Sequence, residues 1–134
     1  PKYLTEVQPG YVYGLDEQHY SKLFAIVCEG QLDAIHVEGC ALGGSEISDQ
    51  QVLLLNRLQK EIIIVPDRDS AGKKLIERAI ELEWSVSMPD WPQDITDIGD
   101  AVQRYGRLYT LHSIAVSAES SPLKIRLRGK KWFE

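Results

Sequence analysis

Several features are scarce in this chain of 134 residues. It has two cysteines, Cys28 and Cys40, both in apolar stretches and neither part of a CxxC pair. No zinc is therefore expected, and the two residues read as buried free thiols in a reducing, cytoplasmic setting. No apolar run approaches the ~20 residues a membrane span needs. No charged-then-apolar leader opens the chain, so neither membrane insertion nor secretion is expected. Internal repeats and low-complexity stretches are also lacking. Positive charge is in short supply: the net charge is −5, with +4 in residues 124–134 and −9 in the remainder. An acidic body argues against simple binding to a phosphate backbone, unless its carboxylates hold divalent cations that invert the local sign. What remains is ordinary for a folded domain: 43% hydrophobic and 26% charged residues, and a length that suits one modest core. Pro1 in place of Met is expected of a piece of a longer protein.

The pattern along the chain alternates strands and helices. Residues 1–22 are a polar, aromatic-rich lead-in with a turn near Pro9 and Gly10. Residues 23–28 (LFAIVC) form a continuous apolar run, which predicts a buried parallel strand. Residues 31–38 look helical, and Ala41 and Leu42 make a short strand before a glycine turn. Ser45 or Ser48 caps the next helix, which runs to about Leu58. Residues 62–65 (IIIV) are a second strongly buried strand, closed by Pro66 and Asp67. Ser70 is read as the cap of a helix to about Leu82, and residues 84–88 (WSVSM) as another strand. Two short helices, 97–105 and 107–118, are split at Gly106. The alternation in residues 124–128 (KIRLR) suits a strand or an extended basic tail. The order β-α-β-α-β-α-β-α implies an α/β fold with a mostly parallel sheet of about four strands and helices on both faces.

Three acidic clusters follow three of these strands, where open α/β sheets gather ligands. Glu29 ends the first strand, with Asp33 one helical turn on. Asp67 and Asp69 straddle one residue after the second buried strand. Asp94 and Asp97 lie in the loop after residues 84–88. Carboxylates crowded together repel one another, and Mg²⁺ or Mn²⁺ relieves that repulsion through oxygen ligands. Gly30 and Gly72 permit close backbone approach to a ligand. The helix beginning at Ser70 presents free N–H groups to a phosphate, and Lys73 and Lys74 add charge there. Clustered carboxylates, a hard cation and phosphate together point to phosphoryl or nucleotidyl transfer.

These segments resemble a known family. Residues 27–35 (VCEGQLDAI) are similar to the Toprim motif in which a glutamate closes the first strand. Residues 65–73 (VPDRDSAGK) resemble its D-x-D-x-A-G motif, and residues 94–97 (DITD) its third acidic loop, with Gln93 in place of the usual lysine. Ala71 and Gly72 favour the bacterial and phage DNA primases over the topoisomerases, which tend to carry D-x-D-x-E-G. Pro1 to Leu4 (PKYL) and residues 12–15 (VYGL) resemble segments ahead of Toprim in those primases. The resemblance implies a lead-in from the primase catalytic core at 1–22, a Toprim domain at 23–106, and a C-terminal helix with a basic strand or tail at 107–134. It implies RNA primer synthesis on a DNA template, with Glu29, Asp67 and Asp69 as catalytic residues. Asp33, Asp94 and Asp97 would complete the metal set, and Lys2 would lie near nucleotide or template. The implied partners are single-stranded DNA, ribonucleoside triphosphates and a replicative helicase, in the cytoplasm of a bacterium or a phage-infected cell. The family's zinc-binding domain and the front half of its core have no counterpart here, so the resemblance implies part of an active site. A Toprim nuclease or topoisomerase-like enzyme, or a non-catalytic interaction module, is the alternative.

His36 reads as a partly buried surface histidine, and Trp84 and Trp91 as packing residues rather than base-stacking ones. The basic residues of the tail suit either nucleic-acid phosphates or a solvated edge strand.

Overall fold

The computed structural model describes residues 10–134. Lys2 and the segment from Pro1 to Leu4, which carry part of the resemblance, lie outside the described residues. Among the described residues, five strands form one sheet in the order β2-β1-β3-β4-β5: β1 Phe24–Cys28, β2 Cys40–Ala41, β3 Glu61–Ile64, β4 Ser85–Ser87 and β5 Ala118–Glu119. The first four are parallel, and β5 runs antiparallel to β4. Six α-helices among the described residues flank the sheet: α1 Gln31–Val37, α2 Asp49–Asn56, α3 Ser70–Glu81, α4 Ile98–Tyr105, α5 Arg107–Ser117 and α6 Pro122–Trp132. No helix among the described residues is long and apolar enough to cross a membrane.

The parallel arrangement follows from the apolar runs. Ala25 to Cys28 and Ile62 to Ile64 are all buried, as strands covered on both faces must be. Cys28 and Cys40 are free thiols at the heart of this core. Trp84 and Trp91 are buried as well, which agrees with a packing role. His36 is exposed.

The cap of α2 shows how local sequence fixes a boundary. Ser48 and Gln51 form a capping box, each side chain accepting from the other's backbone N–H. Gln51 is buried, and its amide also donates to the carbonyls of Tyr11 and Leu42. Tyr13 exchanges two 3.0 Å backbone bonds with Ala41, so the lead-in is tied to the sheet at β2. Gln51→Ala is expected to lower stability by about 2 kcal/mol, because buried acceptors lose their donor. Urea unfolding with an unchanged denaturant slope is the check.

Three local expectations are corrected. The cap of α3 is Asp69, not Ser70: its side chain accepts from the N–H of Gly72, and Ser70 is the first helical residue. The sheet has a fifth strand, whose first residue, Ala118, the sequence assigns to the end of the preceding helix. Residues 124–128 are helical, inside α6, where Ser121 is the N-cap and Pro122 occupies the first turn. Proline there costs no hydrogen bond, since that N–H has no helical partner. Ile125 and Trp132, seven residues apart, both face the core. Helical burial therefore overrides the two-residue alternation that suggested a strand.

Candidate active site

The sheet order places β1, β3 and β4 side by side, so their three acidic endings are spatial neighbours. Glu29 follows β1, and its Oε2 accepts from the N–H of Asp67 at 3.2 Å, linking the first two endings. Asp33 lies on α1, and its Oδ1 accepts from the N–H of Gly99 at 2.9 Å. Asp97 caps α4 by accepting from the N–H of Asp100 at 2.8 Å, and Asp69 caps α3 through Gly72 at 2.9 Å. Each of these four carboxylates is thus anchored through one oxygen to a main-chain N–H. The second oxygen of each, and both oxygens of Asp67, make no hydrogen bond among the described residues.

Crowding shows in the titration of the group. Asp67 is pushed up from an ordinary 3.8 to about 7, first by burial and then by the charges of Glu29, Asp33, Asp97 and Asp69. Burial also raises Glu29, partly offset by its bond to the Asp67 N–H, with Asp69 and Asp33 adding to the rise. Asp33 is raised by burial and by Asp97, against the Gly99 hydrogen bond. Five carboxylates therefore act on one another electrostatically. Among the described residues, no three acidic, thiol or imidazole groups converge closely enough to enclose a cation as they stand. The donor set is nevertheless of one chemical kind, carboxylate oxygens with uncommitted lone pairs, which fits a hard divalent cation rather than a soft one.

Asp94 stands apart. It is exposed and paired with Arg104 at 2.5 Å, and that hydrogen bond draws its carboxyl below the usual range. Gly30 faces open space. Gly72 serves a contact within the fold: a Cβ there would lie 2.2 Å from the Asp67 carbonyl oxygen. Ser70 and Lys73 are exposed in the first turn of α3.

Arg68, which the sequence presents only as the spacer between Asp67 and Asp69, organises the third acidic loop. Its guanidinium donates to the carbonyls of Pro92 at 2.7 Å, Trp91 at 2.9 Å and Ile95 at 3.3 Å. Its backbone N–H donates to the Thr96 carbonyl at 3.0 Å. The guanidinium lies 4.0 Å from the ring centre of Trp132, whose ring also packs on Trp91. The loop leading to Asp97 is thereby fixed against the end of β3. The one sequence signal for this was a loop with two prolines, whose carbonyls needed donors from outside regular structure.

A family model described as Toprim-like matches residues 26–101, more than half of the chain. Among solved structures, a DnaG primase catalytic domain bound to ssDNA aligns with TM-score 0.69 and 19% identity, covering 93% of this chain and 44% of that one. The RNA polymerase domain of Mycobacterium tuberculosis primase DnaG gives TM-score 0.70 at 19% identity, covering 93% and 45%. The Aquifex aeolicus primase, with its zinc-binding and RNA polymerase domains, gives TM-score 0.67 at 21% identity, covering 95% and 36%. At such identities the likeness is one of fold, and the chain spans less than half the length of each of these structures. No curated protein matches by sequence.

Proposed function

The chain belongs to the Toprim-like family, and we propose that it serves as the metal-holding part of a DNA primase active site. The observation that carries this reading is the set of carboxylates around Asp67. They come from three adjacent strand ends, and all but Asp67 are held by one oxygen, the other making no hydrogen bond among the described residues. Glu29, Asp67 and Asp69 are assigned as catalytic, and Asp33 and Asp97 complete the group that holds Mg²⁺ or Mn²⁺. Asp94, held by Arg104, joins only if that ion pair opens. A divalent cation there supplies Lewis-acid polarisation and neutralises phosphate charge.

The chain's own residues do the rest. The first turn of α3, from Ser70, offers main-chain N–H groups and a positive helix end to the triphosphate of a ribonucleotide. Glu29, raised by burial and with Oε1 unbonded among the described residues, takes the proton of the primer 3′-hydroxyl. Arg68 keeps the loop before Asp97 in register. A single-stranded DNA template and ribonucleoside triphosphates are the proposed substrates, in a bacterial or phage replication setting.

The test is primer synthesis on a single-stranded template by the full protein in which this chain occurs. Glu29→Gln is expected to lower synthesis on the order of 100-fold or more, beyond the 10–100-fold typical of residues that only support a metal's ligands. Thermal stability should be unchanged or higher. Normal synthesis by this variant would overturn the reading. Metal-dependent nicking of duplex DNA without ribonucleotides would instead mark a phosphodiester-cleaving Toprim enzyme.

A further inference from the structure

A groove with a cavity of about 390 Å³ runs between α3 and α6, lined by Lys73, Ile76, Ile125, Arg126, Lys130 and Phe133, with Glu77 also contributing. It adjoins the acidic site: the Phe133 ring lies 3.3 Å from where a Gly72 Cβ would stand, and Gly72 abuts the Asp67 carbonyl. Charge and shape agree on one kind of occupant. Helix α6 carries Lys124, Arg126, Arg128, Lys130 and Lys131. Arg126 and Lys131 are paired with Glu77 and Asp90, and Arg128 donates to the Met88 carbonyl. Lys73 and Lys130, both exposed, form no ion pair among the described residues. The groove therefore joins two ammonium groups without an ion pair among the described residues, a half-buried aromatic ring and apolar walls, on a chain that is otherwise acidic. The Lys73 ammonium sits 5.7 Å from the centre of the Phe133 ring.

We propose that this groove binds a segment of single-stranded DNA leading to the acidic site, with phosphates on Lys73 and Lys130 and a base stacked on Phe133. Lysines spaced along a channel with an aromatic platform are the elements from which sequence-tolerant single-strand sites are built. The Arg126–Glu77 pair is exposed, so Arg126 can turn to a phosphate at little cost. This assignment rests on the primase reading and adds to it the surface that carries the strand.

Anisotropy of a fluorescein-labelled oligodeoxythymidine, with the chain in EDTA, tests it without any contribution from the metal. Doubly substituted Lys73→Ala/Lys130→Ala should reduce the slope of log affinity against log salt by about 1.4, since each single-strand phosphate contact contributes about 0.7. Phe133→Ala should weaken binding roughly 5–100-fold with the slope unchanged, and Phe133→Tyr should restore it. Arg57→Gln, at an exposed position after α2, should leave the slope alone. The proposal is overturned if the double variant keeps the parental slope, or if Arg57→Gln lowers it as much. Binding of polyglutamate with the same variant dependence, and no binding of the oligonucleotide, would also overturn it and mark a surface for an acidic protein. Loss of primer synthesis in Glu29→Gln alongside a parental slope in the double variant would sink the groove and leave the primase reading standing.

Discussion

Asp67→Asn is expected to stabilise the metal-free chain at pH 8 while removing its response to Mn²⁺. In the fold the Asp67 carboxyl titrates at about 7, against 3.8 ordinarily. Below pH 4 the group is protonated whether the chain is folded or not, and contributes no difference. Between pH 4 and 7 the folded chain holds a proton that the unfolded chain releases, so stability falls as pH rises through that window. Above pH 7 the penalty is complete. Asp67 is only half-buried, and solvent screening reduces the penalty to about 1–2 kcal/mol. Asparagine carries no charge, so urea unfolding in EDTA should show the variant more stable by that amount at pH 8 and equal to the parent near pH 3.5. Mn²⁺ at about 100 times its Kd should stabilise the parent by about 2.7 kcal/mol and the variant far less. A variant less stable than the parent at pH 8 without metal would refute the repulsion account.

Gly72→Ala should do the opposite and damage both fold and site. The added methyl group would stand 2.2 Å from the Asp67 carbonyl oxygen, with the Phe133 ring 3.3 Å away on another side. Neither the main chain of the Asp67 loop nor α3 can yield alone, because the Gly72 N–H is bonded to the Asp69 side chain at 2.9 Å. Separating them is expected to cost about 2–4 kcal/mol, at or above the upper end for overpacking, since the obstacle is backbone. Mn²⁺ affinity measured by calorimetry should fall at least 10-fold, the lower range for disturbed support of a metal site. Ala71→Gly, one position earlier, controls for helix propensity. A Gly72→Ala chain within 0.5 kcal/mol of the parent would show that the contact relaxes freely.

The difference between what was readable in the sequence and what was not has a physical basis. The buried strands were legible because Ala25 to Cys28 and Ile62 to Ile64 leave no polar face. Glu29 and Asp67 were legible because they close such runs, and Asp94 and Asp97 because they lie in the loop that follows residues 84–88. That they gather follows from the tendency of open α/β sheets to collect ligands at their strand ends, but the spatial order β1-β3-β4 that makes them neighbours is set by tertiary packing. Helix α6 was misread because Lys124 to Arg128 alternates, and only Trp132, outside that window, reveals the helical spacing from Ile125. Arg68 was missed for a different reason: its partners are main-chain carbonyls, which leave no mark on the residues that carry them.

The stacking of Trp132 on Arg68 bears on what can be inherited or transplanted as a unit. The stretch shared with the family ends at residue 101. The stretch that holds its own shape runs at least to Trp132, because the guanidinium that fastens the third acidic loop is roofed by that ring at 4.0 Å. A graft of residues 26–101 into another protein would carry every carboxylate of the site and lose the cover over the residue that fastens the loop before Asp97. Such a graft must bring α6 with it, or replace Arg68 with a loop that needs no fastening.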